Sequence, residues 1–101
     1  MRMWLLDPRK MCRNHLLGEH VELHMLVGSI NKGMNLDGYD GIIEPSKIKE
    51  RHGKLVVEME RRGYNHKSPL KKFNVGKYGE LKVDVRKSKS DIRERCNKCR
   101  V

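Results

Sequence analysis

The sequence predicts an all-α fold: one compact domain of three helices, with the first helix central and a long ordered loop. Three observations carry this expectation. Residues of one face recur at helical spacing in two stretches, Leu16, Leu23, Val27, Ile30 and Met34, then Ile48, His52, Leu55, Val56 and Met59. Each stretch runs out at a glycine, Gly33 and Gly63, the residue that most readily closes a helix. Alternation of the kind a strand requires is confined to Leu81, Val83 and Val85.

Taken in order, Asp7-Pro8 offers an N-cap followed by proline at the first helical position, so the first helix is expected from about Pro8 or Lys10 to Lys32. Leu17, Val21 and Met25 lie off its main apolar face, the pattern of a helix packed on two flanks. Residues 35–44, rich in Asn, Asp and Gly, read as a loop. The second helix starts near Pro45-Ser46 and ends at Arg62. From Tyr64 to Val85, Ser68-Pro69, Gly76 and Gly79 interrupt any long element, leaving an ordered loop with a short extended segment near 80–85. Ser88 or Ser90 is expected to cap a last short helix through Asp91, Ile92 and Cys96. At 101 residues the whole chain, 1–101, is read as a single domain.

The chain carries 23 Lys+Arg against 13 Asp+Glu. The excess is concentrated from Lys71 onward, where eleven Lys+Arg face four Asp+Glu, the footprint of a polyanion binder. Only Phe73 and Tyr78 are aromatic in that third, which gives little support to stacking along single strands. No apolar run approaches a membrane span and no secretory signal is seen. Three cysteines fit a reducing, cytoplasmic setting better than a disulfide framework. A monomer is expected.

His15, Glu19, Glu22 and Leu26 share one stripe of the first helix. Two carboxylates and an imidazole on one stripe belong either to a solvated face or to proton chemistry. The chain's start bears on the second reading. Methionine aminopeptidases need a small second residue and Arg2 is large, so Met1 is expected to remain with its α-amine exposed. With an ordinary pKa of about 7.7–8.0, roughly a tenth or more of such an amine is neutral near pH 7. A neutral amine attacks a sugar C1′ or an aldehyde to give a Schiff base. That chemistry needs a carboxylate to move protons and cations to hold phosphate.

The block His15-Leu16-Leu17-Gly18-Glu19-His20-Val21-Glu22-Leu23, followed by Arg61-Arg62-Gly63-Tyr64-Asn65, resembles the phage pyrimidine-dimer DNA glycosylase (endonuclease V) family. The resemblance is strongest over residues 1–70. It implies a small helical protein whose first helix passes beneath the N-terminus. It also implies excision of a damaged base from double-stranded DNA by amine attack on C1′, then strand cleavage by β-elimination (AP lyase activity), with no cofactor. Carried over, Met1 is the nucleophile, Glu22 the catalytic carboxylate and Arg2 a phosphate or sugar contact. His15, Glu19 and Tyr64 match positions beside the site, and His66, Lys71 and Lys72 are taken as further substrate contacts. Val21 and Met25 stand where the phage enzyme has arginines, and its aromatic basic tail is missing here. These departures bear on dimer specificity.

Other sites compete. Cys96-x-x-Cys99 is a possible half zinc site that His20 and His24, four apart on the first helix, would complete. His66 either lines a pocket or closes its loop with a hydrogen bond. His52 reads as a satisfied core histidine, Trp4 as an anchor of the N-terminal arm, and Cys12 as an inert thiol without a partner. The alternative function is a basic nucleic-acid-binding module without catalysis, folded around zinc.

Overall fold

In a computed structural model, which describes residues 1–66 and 68–101, the chain forms three α-helices and no strand among the described residues. α1 runs Arg13–Asn31, α2 Ile48–Arg61 and α3 Val85–Arg95. The all-α expectation holds, while the boundaries move for local reasons. Asp7 and Pro8 open a separate 3-10 turn, Pro8–Lys10, in which Asp7 accepts from the Arg9 backbone N–H. The chain is extended at Met11 and Cys12, so α1 begins only at Arg13. Another 3-10 turn, Pro45–Lys47, leads into α2.

α3 is capped by Asp84, whose carboxylate accepts from the Lys87 N–H at 3.0 Å, and not by Ser88 or Ser90. Ser88 is fully buried and donates to the Trp4 carbonyl at 2.7 Å. Residues near 80–85 are extended only enough to form an isolated bridge between Val83 and Gly41. Gly33 and Gly63 end α1 and α2 with φ of 71° and 85°, a conformation a β-carbon disfavours.

α1 is central. Leu16, Leu23 and Leu26 bury completely with Ile48 and Leu55 of α2, Ile92 of α3, and Met3, Leu36 and Ile43 from the connecting segments. α2 packs along one flank of α1 and residues 1–6 along another, but of the off-face residues expected to mark the second flank only Leu17 packs against the core, while Val21 and Met25 face solvent. That N-terminal arm is tied at three points. The Met3 N–H donates to the Ile42 carbonyl at 2.8 Å, the Trp4 carbonyl takes Ser88, and the Leu6 carbonyl takes Arg51 Nη1 at 2.6 Å. Between the last two, Leu5 sits at φ 52°, a left-handed conformation that costs a side-chain-bearing residue about 1–2 kcal/mol. The flanking carbonyl anchors hold it there.

Glu58 ties the end of α2 to the start of α1. It accepts from Arg61 and from Arg62 at 2.6 and 2.7 Å, and Arg62 in turn donates to the Pro8 and Met11 carbonyls. The Arg61 hydrogen bond, aided by Arg62, holds the Glu58 carboxyl down at about 2, against the burial that opposes it. A folded value below the unfolded one, about 4.3, gives stability that is fully present above the unfolded value and is lost as pH falls toward 2. Urea unfolding between pH 5 and 2.5 should therefore show a shallower acid loss for Glu58→Gln than for the parent. Identical slopes would assign the acid limb to other carboxylates.

Candidate active site

Positions 15, 22 and 29 of α1 are seven residues apart, two helical turns, and share one face. The N-terminal arm crosses that face in the opposite direction. The Met1 sulfur lies 3.6 Å from Ser29 Oγ, and the Trp4 ring stands edge-on to His15 at 5.6 Å. Burial is the largest influence on Glu22 and pushes its carboxyl up. The positive α-ammonium, the nearby Arg2 N–H and the Arg2 charge pull it down, while neighbouring Glu19 adds to the rise. Glu22 is thus a half-buried acid that feels the charge of the chain's own terminus.

Arg2, Trp4, Asn14, His15, Gly18, Glu22 and Arg95 line a cleft of about 280 Å³. Arg2 is fixed above it. Its Nη2 donates to Asp91 of α3 at 2.8 Å, its guanidinium lies 4.0 Å from the centre of the Trp4 ring, and its Nε is buried without a partner. The Arg2 hydrogen bond in turn holds the Asp91 carboxyl below its usual range. Trp4 is buried, the anchor expected of it. A side chain at Gly18 would meet nothing within 4 Å, so glycine there keeps the cleft open.

Sequence reasoning missed Asn14, Arg95 and Asp91. Asn14, Gly18 and Glu22 are four apart and could have been read from helical spacing. Asp91 and Arg95 are also four apart, but on a helix whose docking no local pattern reveals. Val21 and Met25, at the positions of the family's arginines, are 55% and 53% exposed beside Glu22.

The expected substrate contacts divide. Arg2 and His15 line the cleft. Glu19 does not: it is 0% exposed and is gripped by Arg51, Nε to Oε2 at 2.6 Å and Nη2 to Oε1 at 2.8 Å. A carboxylate so enclosed supports the site from beneath. Tyr64 is half-buried with the Arg13 guanidinium 5.6 Å from its ring centre, and it lies outside the cleft lining. Lys71 and Lys72 border a separate hollow with Lys49, Leu70 and Phe73.

His66 joins neither group. With His20, His24 and His52 it forms a cluster whose ligand atoms lie within 4.8 Å of one another. Cys96 and Cys99 form a second such cluster with Cys12 and His15. The expected zinc set of His20, His24, Cys96 and Cys99 is therefore incorrect, because the C-terminal cysteines meet the start of α1 and not its middle. Neither the satisfied core role expected of His52 nor the loop-closing bond expected of His66 involves Nε2, which in each is buried without a partner among the described residues. Cys12 has partners after all, Cys96 Sγ at 3.7 Å and His15 Nδ1 at 3.2 Å. Burial first, and neighbouring imidazoles second, lower His20 to about 4 and lower His24 and His52 as well, keeping these rings neutral.

Residues 1–72 match the family described as pyrimidine dimer DNA glycosylase. No curated protein and no solved structure matches the chain.

Proposed function

Since the chain belongs to the pyrimidine dimer DNA glycosylase family, we propose that it excises damaged pyrimidines from duplex DNA and nicks the resulting abasic site, with the Met1 α-amine as nucleophile. The observation that supports this most directly is the course of the N-terminal arm, which lays Met1 against Ser29 and Trp4 against His15 on the α1 face that carries Glu22, a carboxylate raised by burial, beside an open cleft.

The neutral amine attacks C1′ of the damaged nucleotide, forming the N–C1′ bond as the glycosidic C1′–N bond breaks. The departing base takes up a proton, and the newly bonded nitrogen loses one to Glu22. Opening of the sugar ring breaks C1′–O4′ as O4′ takes the proton back from Glu22, and yields a protonated imine that the resulting Glu22 carboxylate stabilises across the cleft. Loss of a C2′ proton then expels the 3′ phosphate. Water hydrolyses the imine, returning the amine and leaving a cleaved strand. A carboxyl raised by burial suits Glu22 to this traffic, since it takes up a proton more readily than an exposed glutamate does.

Arg2 is a positioning residue in this reading. Asp91 and Trp4 hold its side chain over the cleft that Glu22 lines, which fixes the course of the chain one residue from the amine. Arg95 at the cleft edge supplies a cation for phosphate in a chain where Val21 and Met25 have displaced the family's two arginines. The basic C-terminal third adds a salt-dependent hold on the duplex backbone. No described helix is long and apolar enough to cross a membrane.

Borohydride reduction in the presence of abasic duplex DNA should trap one covalent adduct, and peptide mass mapping should assign it to Met1. Extending the chain by two residues ahead of Met1 should abolish both the adduct and nicking. An adduct on an internal lysine, or nicking by the extended chain, would overturn the assignment. Salt-sensitive binding with no nicking at all would leave a nucleic-acid-binding module.

A further inference from the structure

Eight side chains that this reaction leaves unused, or uses only at its edge, form two closed sets of four. The first is Cys12, His15, Cys96 and Cys99. Its spacing is already that of a metal site. A zinc ion bonded to sulfur at about 2.3 Å and to nitrogen at about 2.0–2.1 Å in a tetrahedron separates two sulfurs by about 3.8 Å and sulfur from nitrogen by about 3.6 Å. The structure has Cys12 Sγ to Cys96 Sγ at 3.7 Å, Cys99 Sγ to His15 Nδ1 at 3.6 Å and Cys12 Sγ to His15 Nδ1 at 3.2 Å. All three cysteines are free of disulfide bonds. One sulfur is also furnished with a donor: the Cys12 backbone N–H points at Cys99 Sγ from 3.1 Å. Backbone N–H groups directed at sulfur stabilise the thiolate, the form that binds metal.

The second set is His20, His24, His52 and His66, drawn from α1, α2 and the segment after α2. Ring centres of the contacting pairs lie 4.8 to 5.2 Å apart. Nε2 of every one of the four is buried without a hydrogen-bond partner among the described residues. Buried polar atoms are almost always satisfied, and four orphans of one kind facing one point call for a single explanation. Protonating the rings would crowd cations together. Leaving them neutral strands four lone pairs. A divalent cation at the centre satisfies all four at once, and imidazole suits zinc among common divalent ions.

We propose that the protein binds two zinc ions, one in the Cys12, His15, Cys96 and Cys99 set and one in the His20, His24, His52 and His66 set. Both sets supply four protein ligands, which leaves no open position, so both ions are structural. Their placement explains how the fold is closed. The cysteine site fastens the first turn of α1 to the chain just beyond α3, and α3 carries the Asp91 that holds Arg2 and the Arg95 that borders the cleft. The histidine site fastens the middle of α1 to α2. His20 and His24 stand about 200° around α1 from Glu22, so this ion grips the helix from behind the cleft.

Metal analysis of the full chain, purified without added metal, should give two zinc ions per molecule. A Cys96→Ser/Cys99→Ser variant should lose one, and a His24→Ala/His66→Ala variant should lose the other. Should either variant fail to fold, cobalt exchange into the unmodified protein separates the sites. One equivalent should show intense near-ultraviolet absorption from thiolate-to-cobalt charge transfer, and a second should add tetrahedral visible bands without it. Chelation should lower the melting temperature, and zinc should restore it. Metal-free protein whose melting does not respond to zinc, or a disulfide between Cys12 and Cys96 in place of bound metal, would overturn the proposal. A single ion of the thiolate type would overturn it for the histidine set alone.

Discussion

A Glu22→Gln variant is expected to fold as the parent does and to lose base excision and abasic-site nicking by about 10²–10⁴-fold, the range for removing a positioned proton-transfer group. The amide keeps the side chain's length and shape, and the ties that hold the arm over α1 lie at Met3, Trp4, Leu6 and the Arg2 side chain, so the arm stays in register. What it loses is the ability to take a proton from the attacking nitrogen and to balance the charge of the imine. Folding should be spared because burial already works against the ionised carboxyl. Single-turnover excision and thermal melting, measured on the same preparation, check both halves. Excision within about tenfold of the parent, with melting unchanged, would remove Glu22 from the chemistry; the range being tested is the one expected of a general acid or base. Substrate affinity measured in the same variant discriminates further. A loss confined to the rate is expected, because Arg2, Arg95 and the basic third of the chain are untouched.

The cleft was legible in the sequence to the extent that it is made of helix. His15 and Glu22 share a face by spacing alone, and Asn14 and Gly18 follow from the same geometry. Glu19 shows where that reasoning stops. Three residues before Glu22 it shares the stripe, yet the helix is central, so a small rotation separates a position facing the cleft from one facing α2. Only the location of Arg51, 32 residues later, decides which it is. The metal-binding sets fail for a sharper version of the same reason. Helical spacing puts His20 beside His24, and Cys96-x-x-Cys99 keeps its two thiols together, but no local pattern says which distant residues each pair meets: His52 and His66 for the one, Cys12 and His15 for the other. Cys12-x-x-His15 supplies the other half of the cysteine site, but 84 residues separate Cys12 from Cys96, and nothing local to Cys12 announces it.

Boundaries were misjudged where a cap competes with another duty. Ser88 has the right residue type and position to start a helix, but its hydroxyl is committed to the Trp4 carbonyl, and Asp84 caps α3 instead. Asp7-Pro8 does begin a helical turn. The turn cannot continue into α1 because Met11 and Cys12 adopt extended backbone, which brings the Cys12 sulfur and backbone N–H toward the C-terminal cysteines. In both cases a tertiary tie to the arm or to the chain end overrides the local signal.

Replacing Arg51 with Met is expected to have the largest effect on stability of any single change in the protein. Arg51 is 4% exposed and Glu19 0%, and the guanidinium makes two bonds to the carboxylate and a third, at 2.6 Å, to the Leu6 carbonyl. Removing it strands a buried carboxylate and a carbonyl together, and breaking a buried pair from one side costs about 3–5 kcal/mol. Against a total of about 5–15 kcal/mol for a typical domain, that is a large share, and it corresponds to a fall in melting temperature of roughly 12 °C or more. The paired Glu19→Leu/Arg51→Met variant should recover much of the loss, because apolar groups of similar volume leave no charge to solvate. A fall under about 4 °C for Arg51→Met, the lower equivalent of 1 kcal/mol, would mean that water reaches Glu19. The double variant also isolates the role of Leu6. Its carbonyl anchors the arm on the far side of the strained Leu5, so even a refilled core loses one of the ties that set residues 1 and 2 over Glu22. Excision by the folded double variant should accordingly stay below the parent while its melting temperature recovers, since misplacing a reacting group by even 1 Å can slow a reaction by about 10²-fold.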